Sequence, residues 1–302
     1  MRGVVSGAML CALEDLGLPA TAFDAVYGCS SGAVNGAYFI TGDSWYPLSI
    51  YYDDLPTREF VDFRRVLTGD ILNLSYAFET VMELVKPLRY DAVLDAPTPL
   101  HVALTDVDDV RTVTVDEFES GVDLKAALRA SSWLPIAVRG ATGFRGRRTV
   151  DGGVLTAHPY RLAVADGCTH VLSLSTRPIQ PPKNRVTAAQ YVAARYLERL
   201  QPNLGAGYLA EMRDYRNQRL RLQERMRVPG GPPYVLDMAP LPWMPEIKRH
   251  ELDQGRLING ARNAYELIFC AIEEIDPREI RTGEVRAIPR FTVVRKRDAP
   301  SS

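Results

Sequence analysis

The chain has 302 residues and a formal net charge of −1, with 46% hydrophobic and 24% charged residues. That balance can bury a sizeable core, lacks the compositional signature of disorder, and leaves no global field to attract nucleic acid. Against a prior of about 150 residues per domain, the length suits one α/β enzyme unit with an extension.

From Gly7, the segment GAMLCALEDLGL places Met9, Leu10, Leu13 and Leu16 at helical spacing, with Gly17 as a C-cap. Residues 24–27 read as a short buried strand that runs into YGCSSGAVNG at 27–36. This stretch holds a Gly-x-Ser-x-Gly pentapeptide (Gly28, Ser30, Gly32), and Ala33, Val34, Ala37, Tyr38 and Ile40 form the apolar stripe of a following helix. A serine between a strand and a helix has the setting of a nucleophile elbow, where small neighbours let other backbone pass close to a strained residue. Ser30 is therefore the candidate nucleophile. The helix begins at Ser31, and its amides and partial positive charge would face a developing oxyanion. Cys29 offers a thiol beside Ser30, but an elbow exposes its central residue, so Cys29 reads as packing.

Residues 45–70 are irregular and aromatic-rich. Residues 71–86 form an amphipathic helix with Leu74, Phe78, Val81, Met82 and Val85 along one side, either a core face or the wall of a lipid-binding groove. Residues 100–105 and 112–115 read as paired strands about the turn-rich 106–109. A short helix at 124–130 is stopped by Pro135 in ASSWLP, and a strand at 148–150 leads into Asp151-Gly152-Gly153. Residues 169–175 are a further buried strand. Thereafter 187–228 is helical with a break at 202–207, 229–245 is a Pro/Gly-rich connection, 255–275 a helix and 291–294 a late strand. Strands alternating with helices over the first 175 residues predict a mainly parallel or mixed sheet covered on both faces, with catalytic groups on loops beyond strand ends.

A serine needs a base to accept its proton. His101 lies in a strand pattern, His170 opens another and His250 sits in KRHELDQ, all more often structural or surface positions; His158 in LTAHPY is a triad alternative. Asp151 follows a strand and precedes Gly152 and Gly153, so its loop can approach another backbone and set a carboxylate beside a hydroxyl. Partial desolvation would raise its pKa and strengthen it as a base. The same Asp-Gly is also an ordinary β-turn signal.

Taken together, Gly28-Cys29-Ser30-Ser31-Gly32 at a strand–helix elbow and Asp151-Gly152-Gly153 at a later strand end resemble the patatin-like phospholipase family. Arg2-Gly3 before a helix, and Ala130 to Pro135 before the aspartate, resemble it as well. The resemblance covers residues 2–175. It implies a three-layer α/β/α fold with Ser30 as nucleophile and Asp151 as base of a Ser-Asp dyad. The implied reaction is hydrolysis of acyl esters of lipids or phospholipids through an acyl-enzyme, without metal or organic cofactor. Gly3 could lend an oxyanion amide, and Arg2 could contact a substrate phosphate or carboxylate. The catalytic core is expected at 1–180 and a mainly helical extension packed on it at 181–302.

Family members carry a strand and a glycine run just before the Arg-Gly pair, whereas here Met1 immediately precedes Arg2. Met1 is therefore expected to be an internal methionine of a longer segment, whose strand would neighbour the elbow strand. The alternative is a patatin-fold protein that binds lipid or a partner without turnover. Four widely spaced cysteines (Cys11, Cys29, Cys168, Cys270) argue against zinc and disulfides. No apolar run approaches the roughly 18 residues of a membrane span, and the first ten residues do not make a signal peptide. A cytoplasmic protein is expected, with peripheral membrane contact as the lesser reading. Arg195, Arg199, Arg213, Arg216, Arg219, Arg221, Arg225 and Arg227 make the late helices basic, but Glu198, Glu211, Asp214 and Glu224 are interspersed, as on a solvated, salt-bridged face.

Overall fold

The computed structural model describes residues 1–178, 186–227 and 230–283. Its first helix, α1 (Gly3–Asp15), starts earlier than the apolar spacing predicted, and every residue from Gly3 to Leu13 is buried. A helix apolar all round is one enclosed on all sides. Here α2 (Ser31–Ile40) lies against it and, from far along the chain, so does α9 (Gln254–Ile272). The Tyr265 hydroxyl of α9 donates to Asp15 Oδ2 at 2.8 Å.

The strand before α2 is β1 (Val26–Gly28). Between α2 and the next strand the chain makes α3 (Trp45–Leu48), a wide turn (Ile50–Asp54), a π-type helix (Tyr76–Val85) and α4 (Tyr90–Leu94). Leu74, Phe78, Val81 and Met82 are buried, as their spacing predicted, while Leu84 is exposed. A hairpin follows, β2 (Leu100–Asp106) and β3 (Arg111–Val115), then α5 (Gly121–Ser131), β4 (Thr142–Phe144) and β5 (Arg147–Asp151). The Ser120 hydroxyl accepts the Asp123 amide at 3.2 Å and so starts α5.

The sheet is mixed, one of the two arrangements expected, and β2 is its hub. Strand β1 runs parallel to the first half of β2 (Val26↔Leu100 to Gly28↔Val102), and β5 runs antiparallel to the second half (Leu104↔Asp151 to Asp106↔Thr149). The other edge of β2 is taken by β3 over Val102 to Asp106, and β4 pairs with β5. Consequently β1 and β5 share one edge of β2, and their C-terminal ends converge on Ala103, between the partners of Gly28 and Asp151. Strand β2 is buried almost throughout because α2 and α5 pack on it, which explains its near-continuous apolar run. The outer edge of β1 has no strand partner among the described residues.

Beyond β5, α6 (Tyr160–Ala165) leads to β6 (His170–Leu174), which pairs in parallel not with the main sheet but with β7 (Tyr234–Met238). Strand β7 lies in the stretch read as a connection: prolines flank its five residues and hide them. Helices α7 (Ala188–Leu200) and α8 (Leu204–Arg227) break at 201–203, as the sequence indicated, and Thr187 and Gln190 form a capping box at the start of α7. A short α10 (Arg278–Thr282) follows α9. The strand expected at 291–294 lies outside the described residues. No helix among those described is long and apolar enough to cross a membrane.

Candidate active site

Ser30 stands between β1 and α2 with φ 53° and ψ −133°, backbone angles that only glycine adopts without strain. Such a residue persists only where its surroundings over-determine it. One restraint is Gly28: a Cβ there would lie 2.5 Å from the Ala33 nitrogen, so α2 can fold back onto the strand only past a glycine. A second is Ser131 at the end of α5, fully buried, whose hydroxyl accepts the Ser30 amide at 2.8 Å and donates to the Ala103 carbonyl at 2.7 Å. Gly32 differs from the expectation that only small neighbours fit: a Cβ there meets nothing within 4 Å. The space beside Gly32 belongs to the cavity, not to packing.

Asp151 ends β5 and is buried. Its amide donates to the Trp133 carbonyl at 3.0 Å, and its Oδ1 accepts the Gly153 amide at 2.7 Å. The Ser30 hydroxyl hydrogen-bonds to the carboxylate. Burial pushes the carboxyl above its usual range, opposed by the Gly153 amide, the Arg249 charge and Ser30. Gly152 is required by close approach, since a Cβ would run into the Ala103 carbonyl oxygen, and a Cβ on Gly153 would sit 3.0 Å from Asp151 Oδ1. The expected approach of this loop to another backbone is thus an approach to β2.

At the start of α2 the Gly32 amide is engaged by the Cys29 carbonyl at 2.9 Å, whereas the Ser31 amide has no hydrogen-bond partner among the described residues. Ser31 is the elbow amide left to face an oxyanion. Gly3 lies against its side chain: a Cβ on Gly3 would stand 2.8 Å from Ser31 Oγ. The Gly3 carbonyl accepts from Asn35 Nδ2 at 2.8 Å, and the Tyr51 hydroxyl donates to Asn35 Oδ1 at 2.8 Å. This buried network braces α1 against the elbow. The Cys29 thiol is raised far above its ordinary pKa, by burial first and then by Asp151, so it is protonated and a poor nucleophile.

None of the four histidines bonds to Ser30. His158 is buried, its Nε2 3.0 Å from Ser173 Oγ and 3.2 Å from Ser175 Oγ, and both hydroxyls donate to Asp237 Oδ1 at 2.8 and 2.7 Å. His101 stacks on Tyr27, and His250 meets the edge of Phe63. His170 Nδ1 faces Thr169 Oγ1.

Ser30 and Asp151 open into a cavity of about 1180 Å³, above the ~300–1,000 Å³ of ordinary small-molecule sites. Phe60, Leu74, Phe78 and Met82 supply apolar wall, so the helix at 76–85 serves as core and as lining at once; Arg2 lines the same cavity. The chemistry this permits is proton removal from a strained hydroxyl by a desolvated carboxylate, next to room for an acyl chain. Sequence reasoning gave no role to Ser131, Asn35 or Tyr51. Ser131 lies in the ASSWLP stretch that drew attention, but nothing local tells which of its serines reaches the elbow.

A family model described as patatin-like phospholipase matches residues 1–164, more than half of the chain. The chain is also similar to a curated protein of Escherichia coli (strain K12), the uncharacterised protein YjjU, at 23% identity over 254 residues, which is 81% of this chain. The match spans 66% of that relative's length, slightly under two thirds.

Proposed function

We propose a reaction from one premise: the chain belongs to the patatin-like phospholipase family, a family of lipid acyl hydrolases. Our reading is a serine esterase that cleaves carboxylic esters of acyl lipids, with Ser30 as nucleophile and Asp151 as base. The observation that carries it is the hydrogen bond from the strained Ser30 hydroxyl to the buried Asp151 carboxylate.

In this scheme Ser30 Oγ attacks the ester carbonyl carbon while Asp151 takes its proton. The negative charge gathers on the carbonyl oxygen, where the Ser31 amide and the positive end of α2 stabilise it. The tetrahedral adduct collapses, the C–O bond to the leaving alcohol breaks, and Asp151 returns the proton to that oxygen. Water then attacks the acyl-Ser30 ester with Asp151 again as base, releasing the fatty acid and restoring the serine.

Labelling with a fluorophosphonate is the test. The probe should modify Ser30 in the wild-type chain and leave Ser30→Ala unlabelled. A folded wild-type protein that takes no label, or an alanine variant that labels equally, would remove Ser30 from the reaction.

A further inference from the structure

Three guanidinium groups from distant parts of the chain line the cavity that holds Ser30. Arg2 precedes α1, Arg177 follows β6, and Arg249 lies in the connection ahead of α9. Arg2 and Arg177 are half-buried, and Arg249 is exposed. Other arginines of the same region are neutralised: Arg161 pairs with Glu211, Arg219 with Asp237 and Arg256 with Glu251. Arg2, Arg177 and Arg249 form no ion pair among the described residues, and the buried Nε atoms of Arg2 and Arg177 have no hydrogen-bond partner. The Tyr215 ring lies under Arg177 at 5.6 Å, and the Glu246 charge reaches Arg2 and Arg177 without contact.

The three charges act on one another. Burial, then Arg177 and Arg249, bring the Arg2 guanidinium down to about 9, and burial and Arg249 also lower Arg177. Like charges gathered in partly desolvated surroundings are unfavourable unless a counter-anion joins them, and a chain of net charge −1 has no general surplus of cations to explain the gathering. Arg249 also acts on Asp151, which puts the cluster beside the Ser30–Asp151 pair. Guanidinium forks match the oxygens of a phosphate in bidentate geometry.

We propose that Arg177 and Arg249, together with Arg2, form a phosphate-binding subsite that selects acyl lipids carrying an anionic phosphate head group. As a statement about substrate it rests on the hydrolase reading; as a statement about binding it does not.

Binding to the full chain carrying Ser30→Ala, which reads affinity without turnover, tests it by calorimetry with decyl phosphate, decanol and inorganic phosphate. Decyl phosphate should bind at least tenfold more tightly than either of the others. That preference over decanol should fall about tenfold or more when Arg177→Gln or Arg249→Gln is added, the weight of a charge-assisted hydrogen bond. Equal affinity for decyl phosphate and decanol would overturn the proposal without recourse to any arginine variant. Inorganic phosphate binding as tightly as decyl phosphate would overturn the lipid head group. An unchanged preference in both folded arginine variants would overturn the assignment of these residues. Should Ser30 of the wild-type chain take no fluorophosphonate while the preference and its loss are seen, the hydrolase reading falls and the subsite stands.

Discussion

The Ser131 hydroxyl accepts the backbone amide of Ser30 and passes its own proton to the carbonyl of Ala103 on β2. Two residues on, the Trp133 carbonyl accepts the Asp151 amide. The turn after α5 thus holds the backbone of both members of the proposed dyad. A residue at φ 53° and ψ −133° is strained by roughly 1–3 kcal/mol, and contacts of this kind keep it there.

Replacing Ser131 by alanine leaves the Ser30 amide and the Ala103 carbonyl without that partner in a buried place. A loss of about 1–3 kcal/mol in urea unfolding is expected. Ester turnover should fall roughly tenfold to a hundredfold as the nucleophile shifts. A folded variant with wild-type kcat would show that Ser131 does not position Ser30.

The two glycines of the pentapeptide should part ways. Gly28→Ala drives a methyl into the Ala33 backbone, so soluble folded protein should be lost or strongly destabilised. Gly32→Ala meets open space in a helix, where exchanging glycine for alanine stabilises by about 0.5–1 kcal/mol. Thermal melts of the pair decide the matter: equal behaviour would contradict the contacts assigned to Gly28.

Asp151 has its folded pKa raised, chiefly by burial. The native state therefore holds the proton more tightly than the unfolded chain, whose aspartates titrate near ~3.9. The stability this contributes is complete below the unfolded pKa and is lost as pH rises through the folded one. Asp151→Asn never carries the buried charge. It should melt higher than wild type at neutral pH, with the gap closing as pH falls through the folded pKa, and should have lost turnover. The acid limb of wild-type kcat/KM should sit above the ordinary aspartate range. An acid limb at or below ~3.9 would mean that Asp151 is not the base.

His158→Ala distinguishes a dyad from a triad. With its Nε2 occupied by Ser173 and Ser175, the histidine should matter to folding, and its removal is expected to destabilise by about 1–3 kcal/mol. Fluorophosphonate labelling of Ser30 should proceed within a few-fold of the wild-type rate. A loss of three orders of magnitude in that rate would restore the triad.

The elbow, the amphipathic 71–86 stretch and the β2–β3 hairpin were legible because each is a local pattern. Strand β7 was not, since five residues between prolines carry too little periodicity to stand out, and the parallel partner that stabilises it is β6, far back in the chain. The role of Gly32 was misjudged for a related reason. A motif shows that a small residue is present, but only the neighbours show whether the space beside it is filled or open.

The sequence by itself determined that Ser30 would stand between a strand and a helix, and that Asp151 would end a strand ahead of two glycines. Chain sterics and hydrophobic periodicity within a few residues suffice for that. Only the tertiary structure decided that the two residues meet. Strands β1 and β5 take successive halves of one edge of β2, with Gly28 opposite Val102 and Asp151 opposite Leu104. That register depends on contacts between residues far apart in the chain, and the same is true of Ser131 beneath the elbow and of the arginines that join Arg2. Long-range pairing is set by which buried surfaces and backbone groups satisfy one another in three dimensions, and no local stretch of sequence encodes it.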